Sequence, residues 1–265
     1  MNKLSSTYYQ DDSIQIINGD ITELSLIYDS IDLVVTSPPY NLNIAYGSSN
    51  DYMPHDEYLK FSFDWMSKIY AAAKNDGRFC LNIPLDKNLG EHTSVYADLV
   101  TMAKSVGWRY FTTIIWQQNH LGRRTAWGSW LSPSAPYVIA PVEMIAVFYK
   151  NQWKKIGNGS SDIAKKEFLN WTNGLWQFGS QNRNEIFRGI DKKTKNHPAP
   201  FPLELPQRCI KLFSYEGDTV IDPFMGSGTT LVAAYNSNRK SIGVDIDTEY
   251  CQLALQRILN AKPFI

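Results

Sequence analysis

Five residues, Ile31-Asp32-Leu33-Val34-Val35, run almost unbroken through apolar side chains before the chain stops on Ser37-Pro38-Pro39-Tyr40. A strand covered on both faces reads as such a continuous run, whereas a half-exposed strand alternates. Two prolines cannot continue a hydrogen-bonded ladder, and each biases its predecessor toward extended geometry. The expected result is a stiff loop at the carboxyl end of a buried strand, where open α/β sheets place their ligands. Further strands are expected in "IQIINGD", "GRFCLNIP", "RYFTTIIWQQN", "PVEMIAVFYK", Thr219–Asp222 and "KSIGVDID". Helical spacing of Tyr58, Phe61, Trp65, Ile69 and Ala72 predicts a helix that stops at Asn75-Asp76-Gly77. "YADLVTMAKSVGW", residues from about Thr229 to Ser237, and "TEYCQLALQRILNA" predict others. Strands alternating with helices imply an α/β fold with a doubly wound, mostly parallel sheet.

The 265 residues suffice for one large domain, or for a domain with an insertion. The amino terminus carries no apolar run of a signal peptide, and no stretch of about 18 apolar residues predicts a membrane span. The 3 cysteines (Cys80, Cys209, Cys251) lack metal or redox spacing and are expected to be reduced and buried in a cytoplasmic protein; no metal site is expected. Net charge is zero, but its distribution is uneven. Residues 119–196 hold 12 Lys+Arg against 5 Asp+Glu, an excess of +7 that suggests a segment facing a polyanion. That segment is also rich in Gly, Ser, Asn and Trp, apart from a strand near 141–150. Long irregular stretches of this kind are usually functional or form an inserted module.

"TVIDPFMGSGTTLVAAY" describes a buried strand ending at Asp222, a tight turn with Gly226 and Gly228, and a helix. Glycines allow backbone to approach a ligand, and a helix amino terminus offers free N–H groups. A phosphate-binding loop needs Lys where Thr229 stands, and the dinucleotide fingerprint needs a third glycine. About twenty residues on, Asp245 ends the next strand, where an acid accepts from ribose hydroxyls. A nucleoside-containing ligand such as S-adenosylmethionine fits this pattern.

"TSPPY" resembles the catalytic motif, and "DPFMGSGTT" the cofactor motif, of the DNA amino-methyltransferases; their order along the chain is that of the β class. "NHPAPFPLELPQRCI" is similar to the motif upstream of the cofactor strand. The resemblance implies a catalytic half over 1–118, a target-recognition insertion over 119–196 and a cofactor-binding half over 197–265. It implies S-adenosyl-L-methionine as cofactor, with Asp222, Phe224, Gly226, Ser227 and Gly228 around its amino-acid part, Asp245 at the ribose and Asp20 near the adenine amine. His197 and Phe201 align with the upstream motif, although many relatives carry Lys where Phe201 stands.

The resemblance further implies that the Ser37 hydroxyl and the Pro38 carbonyl accept from the target amine, that Pro39 stiffens the loop, and that Tyr40 stacks on an extruded base. Relatives acting on adenine N6 mostly carry Asp at the first position of this motif, and those acting on cytosine N4 mostly carry Ser. Ser37 therefore favours cytosine N4, with adenine N6 as the alternative. Double-stranded DNA is the expected partner; a cognate restriction endonuclease and a homodimer belong to the same expectation. Candidate DNA contacts are Arg123, Arg124, Lys154, Lys155, Lys165 and Lys166 at phosphates, with Gln181 and Arg183 at bases. Most of the tryptophans of the insertion are expected to form its small core. RNA or small-molecule methylation, or nucleic-acid binding without activity, are the rival readings.

Overall fold

Strand β3 (Ile31–Thr36) is buried at all 6 positions, as a strand between two helical layers must be. The computed structural model describes residues 6–41, 45–46, 49–50, 52–85, 94–118, 128–136, 142–157, 159–179 and 201–261. In chain order, β1 (Ser6–Gln10), β2 (Ile14–Asn18) and β3 are followed by a short hairpin, β4 (Ala45–Tyr46) and β5 (Ser49–Asn50), then α1 (His55–Ala72) and β6 (Ala73–Pro84). Next come α2 (Val95–Val106), β7 (Arg109–Gln118), β8 (Val142–Tyr149), α3 (Lys165–Trp171) and β9 (Leu175–Phe178). The chain closes with α4 (Glu204–Phe213), β10 (Thr219–Asp222), α5 (Thr229–Asn236), β11 (Lys240–Asp245) and α6 (Thr248–Ala261).

A 9-stranded sheet has the order β1-β2-β11-β10-β3-β6-β8-β7-β9. Among the described strands of this sheet, β1 and β8 run against the others, so the expected mostly parallel α/β sheet is found. Pleating sends alternate residues of the central strands to opposite faces. Val34 and Phe79 pack with Trp65 of α1 and Leu99 of α2, whereas Leu33, Val35 and Cys80 pack with Cys209 of α4 and Ala233 of α5. Two consequences matter for function. β3 and β10 are neighbours, so their carboxyl ends lie side by side. β8 runs antiparallel to β6, so its first residues return to that same carboxyl edge.

Helix α1 ends at Ala72, short of the expected stop at Asn75-Asp76-Gly77. Ala73 is already extended and pairs with Ile31, while Leu33 pairs with Arg78, so Asn75-Asp76-Gly77 forms a bulge within β6 instead of a helix cap. The bulge is tied to the segment after β8: the Asn75 carbonyl accepts from the Asn151 and Gln152 N–H groups, and Asp76 accepts from the Ile156 N–H at 2.7 Å. α2 forms where expected and stops at Gly107, φ +123°; the structure adds a cap, the Ser94 side chain accepting from the Ala97 N–H. Strand β8 enters the main sheet as anticipated, whereas β1, α3 and β9 were not foreseen.

Candidate active site

The Ser-Pro-Pro-Tyr loop leaves β3 and is braced from α1, where the Tyr58 hydroxyl donates to the Pro39 carbonyl at 2.9 Å. Asn41, at φ +56°, clasps Met53 through two hydrogen bonds of 2.8 and 2.7 Å. Between these braces the Ser37 hydroxyl is hydrogen-bonded to the Tyr40 hydroxyl. The Tyr40 hydroxyl also lies 3.4 Å from Glu143 Oε2 on β8, and the Asn82 amide of β6 donates to that same carboxylate oxygen at 2.6 Å. Four polar side chains from three elements thus meet at the carboxyl edge of the sheet.

The glycine turn begins one strand away. Asp222 is completely buried; its oxygens accept from Thr36 Oγ1 at 2.7 Å, Thr230 Oγ1 at 2.6 Å and the Phe224 N–H at 3.1 Å. Burial outweighs these bonds and pushes its carboxyl up to about 6. Thr36 immediately precedes Ser37, so a side-chain hydrogen bond joins the roots of the two loops. Gly226 and Gly228 both adopt positive φ, +48° and +76°. The Gly226 N–H donates to Asp245 Oδ2 at 3.0 Å, and the Asp247 N–H donates to Asp245 Oδ1 at 2.9 Å. Burial drives the Asp245 carboxyl up to about 7. Behind the turn, Arg257 of α6 donates to the Ser227 carbonyl, the Ser227 hydroxyl and Thr229 Oγ1. The Ser227 side chain therefore faces α6. Asp20 stands exposed past the end of β2, next to β11, and accepts from both the N–H and the hydroxyl of Thr22.

A family model described as DNA methylase, of the N6/N4 methyltransferase type, matches residues 31–256. The chain belongs to that family. Among relatives, it is 54% identical over 173 residues to the type II methyltransferase M.MjaVI of Methanocaldococcus jannaschii, covering 65% of this chain and 89% of that protein. It is 27% identical over 271 residues to the type II methyltransferase M.ScaI of Streptomyces caespitosus, covering 96% and 84%. TTHA0409 of Thermus thermophilus, solved in complex with S-adenosyl-L-methionine, superimposes with a TM-score of 0.70 at 25% identity, covering 96% of this chain and 95% of that one. The cytosine-N4-specific PvuII DNA methyltransferase shares the fold, with a TM-score of 0.70 at 23% identity, covering 95% and 88%.

In this methylase the expected catalytic stretch and the glycine turn share one sheet edge; Asp245 ends β11 there, and Asp20 follows two residues after the end of the adjacent β2. Phe224 packs edge-on against Trp65, with ring centroids 5.2 Å apart. Phe201 packs against the cluster on the α4 side of the sheet. His197, Arg123, Arg124, Gln181 and Arg183 lie outside the described residues. Lys154, Lys165 and Lys166 are exposed, as phosphate contacts must be.

Lys155 requires correction. Its side chain is 6% exposed and sits between Asp218, at 2.6 Å, and Asp32, at 3.2 Å, so its charge is spent inside the protein and does not face a polyanion. The tryptophans divide: Trp176 is fully buried, whereas Trp130 is 71% exposed. Trp171, Trp176 and Phe178 surround the Arg208 guanidinium, which anchors this segment to α4.

Sequence reasoning missed Glu143, Asn82, Arg257 and Tyr58. Glu143 carried a signal, being an acid within the otherwise apolar strand "VEMIAVFY", and Asn82 is a polar break in "FCLNIP". Arg257 and Tyr58 occupy ordinary helical positions and carried none.

Proposed function

We propose that this methylase transfers a methyl group from S-adenosyl-L-methionine to the exocyclic N4 amine of cytosine in double-stranded DNA, as the modification partner of a cognate type II restriction endonuclease. One observation carries the reading: the 2.7 Å hydrogen bond from Thr36 to Asp222 ties the Ser37–Tyr40 loop to the glycine turn. S-adenosyl-L-methionine is the cofactor of this methylase, and TTHA0409 is complexed with the same molecule. The residues present suit it. The first turn of α5 has no side-chain cap at Gly228, leaving N–H groups for a carboxylate, while Asp245 and Asp20 offer acceptors for ribose hydroxyls and an adenine amine. Asp222, Phe224 and the turn itself would surround the amino-acid part. When bound, the cofactor supplies an electrophilic methyl group on a positively charged sulfur.

The residues of the other loop answer a difficulty in the acceptor. The lone pair of an exocyclic amine is delocalised into its ring, so the amine is a poor nucleophile. Ser37 and the Pro38 carbonyl accept its two N–H bonds, which favours a pyramidal nitrogen with its lone pair outside the ring plane. The proline-stiffened loop, held by Tyr58 and Asn41, fixes these acceptors in advance. The amine is buried in duplex DNA, so the base must leave the stack, and the Tyr40 ring supports it once extruded. Exposed Lys154, Lys165 and Lys166 hold the duplex through its phosphates. Ser37, a neutral acceptor at the first position of the motif, supports cytosine N4.

Incubation with duplex DNA and methyl-labelled cofactor, followed by digestion to nucleosides and mass analysis, is expected to yield 4-methylcytosine. Recovery of 6-methyladenine would overturn the N4 assignment, and absence of transfer would overturn the methyltransferase reading.

Cofactor affinity is expected to depend on pH through Asp245. A hydroxyl that donates to this carboxyl favours its ionised form, so binding lowers its pKa and releases a proton. Affinity should climb as pH rises toward about 7, the value to which burial drives Asp245 in the free protein, and level off above it. The stability of the free protein follows the opposite sign. Its folded pKa lies above the unfolded value, so the group's contribution is complete at low pH and is lost as pH rises from about 4 to about 7. Calorimetric titration in buffers of different ionisation enthalpy measures the released proton; Asp245→Asn should abolish both the release and the pH dependence. A pH-independent affinity in the unsubstituted protein would remove Asp245 from the ribose role.

A further inference from the structure

We infer that Glu143 of β8 is a positioning residue for the methyl transfer, receiving through Tyr40 and Ser37 the proton that the target amine loses; the inference rests on the methyltransferase reading above. In the reaction a nitrogen–carbon bond forms as the methyl group's bond to sulfur breaks. The sulfonium becomes a neutral thioether and the nitrogen is left with one proton too many. The Ser37 hydroxyl is the acceptor proposed above for that nitrogen, but a protonated hydroxyl is far too strong an acid to retain the proton. An onward acceptor is required.

Among the described residues, Glu143 is the carboxylate that a hydrogen-bonded route joins to Ser37. Ser37 Oγ is bonded to the Tyr40 hydroxyl, and the Tyr40 hydroxyl lies 3.4 Å from Glu143 Oε2. As the nitrogen gives its proton to Ser37 Oγ, the serine's own proton passes to the Tyr40 oxygen and the tyrosine's proton passes to Glu143. Ser37 and Tyr40 end neutral, as they began, and Glu143 becomes a carboxylic acid that later returns the proton to water. Asn82 fixes the geometry: its Nδ2 donates to Glu143 Oε2 at 2.6 Å and also reaches the Tyr40 hydroxyl at 3.3 Å and Ser37 Oγ at 3.5 Å. An amide can hold this arrangement but cannot take the proton.

A second carboxylate among the described residues, Asp222, is directed elsewhere. Its hydrogen bonds from Thr36, Thr230 and the Phe224 backbone hold it on the glycine-turn side, fully buried. The fold explains why the acceptor comes from β8. That strand is antiparallel to β6, so Glu143, paired with Pro84 and Trp116, enters the sheet at the edge where Ser37 leaves it. A chain with a neutral serine at the head of its catalytic motif thus acquires a carboxylate from a strand more than a hundred residues downstream.

Glu143→Gln separates proton uptake from structure, because glutamine keeps an oxygen that accepts from Asn82 and Tyr40. The unsubstituted protein is first shown to methylate duplex DNA, which tests the underlying reading independently. The single-turnover rate of Glu143→Gln is then expected to fall about 100-fold, the scale of losing a positioned proton acceptor, with KM for DNA, cofactor Kd and melting temperature unchanged. Glu143→Asp should recover part of the rate. A glutamine variant as fast as the unsubstituted protein would overturn the inference. So would a loss of rate accompanied by an equal loss of DNA or cofactor affinity, or one that aspartate fails to rescue.

Discussion

Ser37→Ala is expected to lower the single-turnover rate of methyl transfer by about 100- to 1000-fold, the range for losing one preorganised hydrogen-bond partner of a transition state. The substitution removes the acceptor proposed for the amine and the group bonded to the Tyr40 hydroxyl. It leaves intact the Thr36–Asp222 link, the Tyr58–Pro39 brace and the Asn41–Met53 clasp, so neither loop loses its attachment. Cofactor affinity should therefore stay within a factor of about two while the rate collapses. Rapid-quench measurement with labelled cofactor, alongside calorimetric Kd, makes the comparison. A variant that transfers methyl groups at the unsubstituted rate would remove Ser37 from the chemistry, and one that loses cofactor affinity in proportion would assign it a binding role.

Lys155→Met should destabilise the fold by about 3–5 kcal/mol, the cost of removing one partner from a buried ion pair. Asp32 is 3% exposed and depends on Lys155, Lys74 and the Thr219 N–H, and Asp218 loses its 2.6 Å partner as well. Burial alone would raise the Asp32 carboxyl, but the Thr219 N–H and the two lysines overcome it and hold the group below the ordinary aspartate range. A depressed folded pKa contributes stability above the unfolded value of about 4 and loses it as pH falls through the folded one. The difference between Lys155→Met and the unsubstituted protein should accordingly be largest near neutrality and shrink in acid. Urea unfolding at about pH 7 and about pH 3.5 measures both values. A variant within about 1 kcal/mol at neutral pH would show that Lys155 does not hold this junction.

The central strands were legible because β3, β6 and β10 are covered on both faces and therefore write continuous apolar runs. The glycine turn was legible because its neighbour Asp245 stands at the end of the next strand, at a spacing that the fold dictates. Other features depended on partners distant in the chain. Asn75-Asp76-Gly77 has the composition of a helix stop, but its role as a bulge is set by Ile31 and by the N–H groups of Asn151, Gln152 and Ile156. The charge excess of residues 119–196 counted Lys155 as free, and nothing local reveals that Asp32 and Asp218 neutralise it. Lys150 likewise spends hydrogen-bonding capacity internally, donating to the Ala73 carbonyl at 2.8 Å. Glu143 could be noticed in sequence but not assigned, because its partners Tyr40 and Asn82 reach it through the antiparallel pairing of β8 with β6.

The junction around Lys155 also constrains where this chain tolerates exchange of a segment with a relative. The stretch from Lys150 to Trp171 is stitched to the sheet at Ala73, Asn75, Asp76, Asp32 and Asp218, and again where Arg239 grips Asp162 at 2.7 Å. A segment exchanged with another methylase across this boundary would take Lys155 from Asp218 and, of its two lysines, leave Asp32 with Lys74 alone. Hybrids that keep the fold must therefore carry the lysine together with its acids or place their crossovers outside these stitches, which makes this stretch part of the sheet's framework although it lies within the basic region.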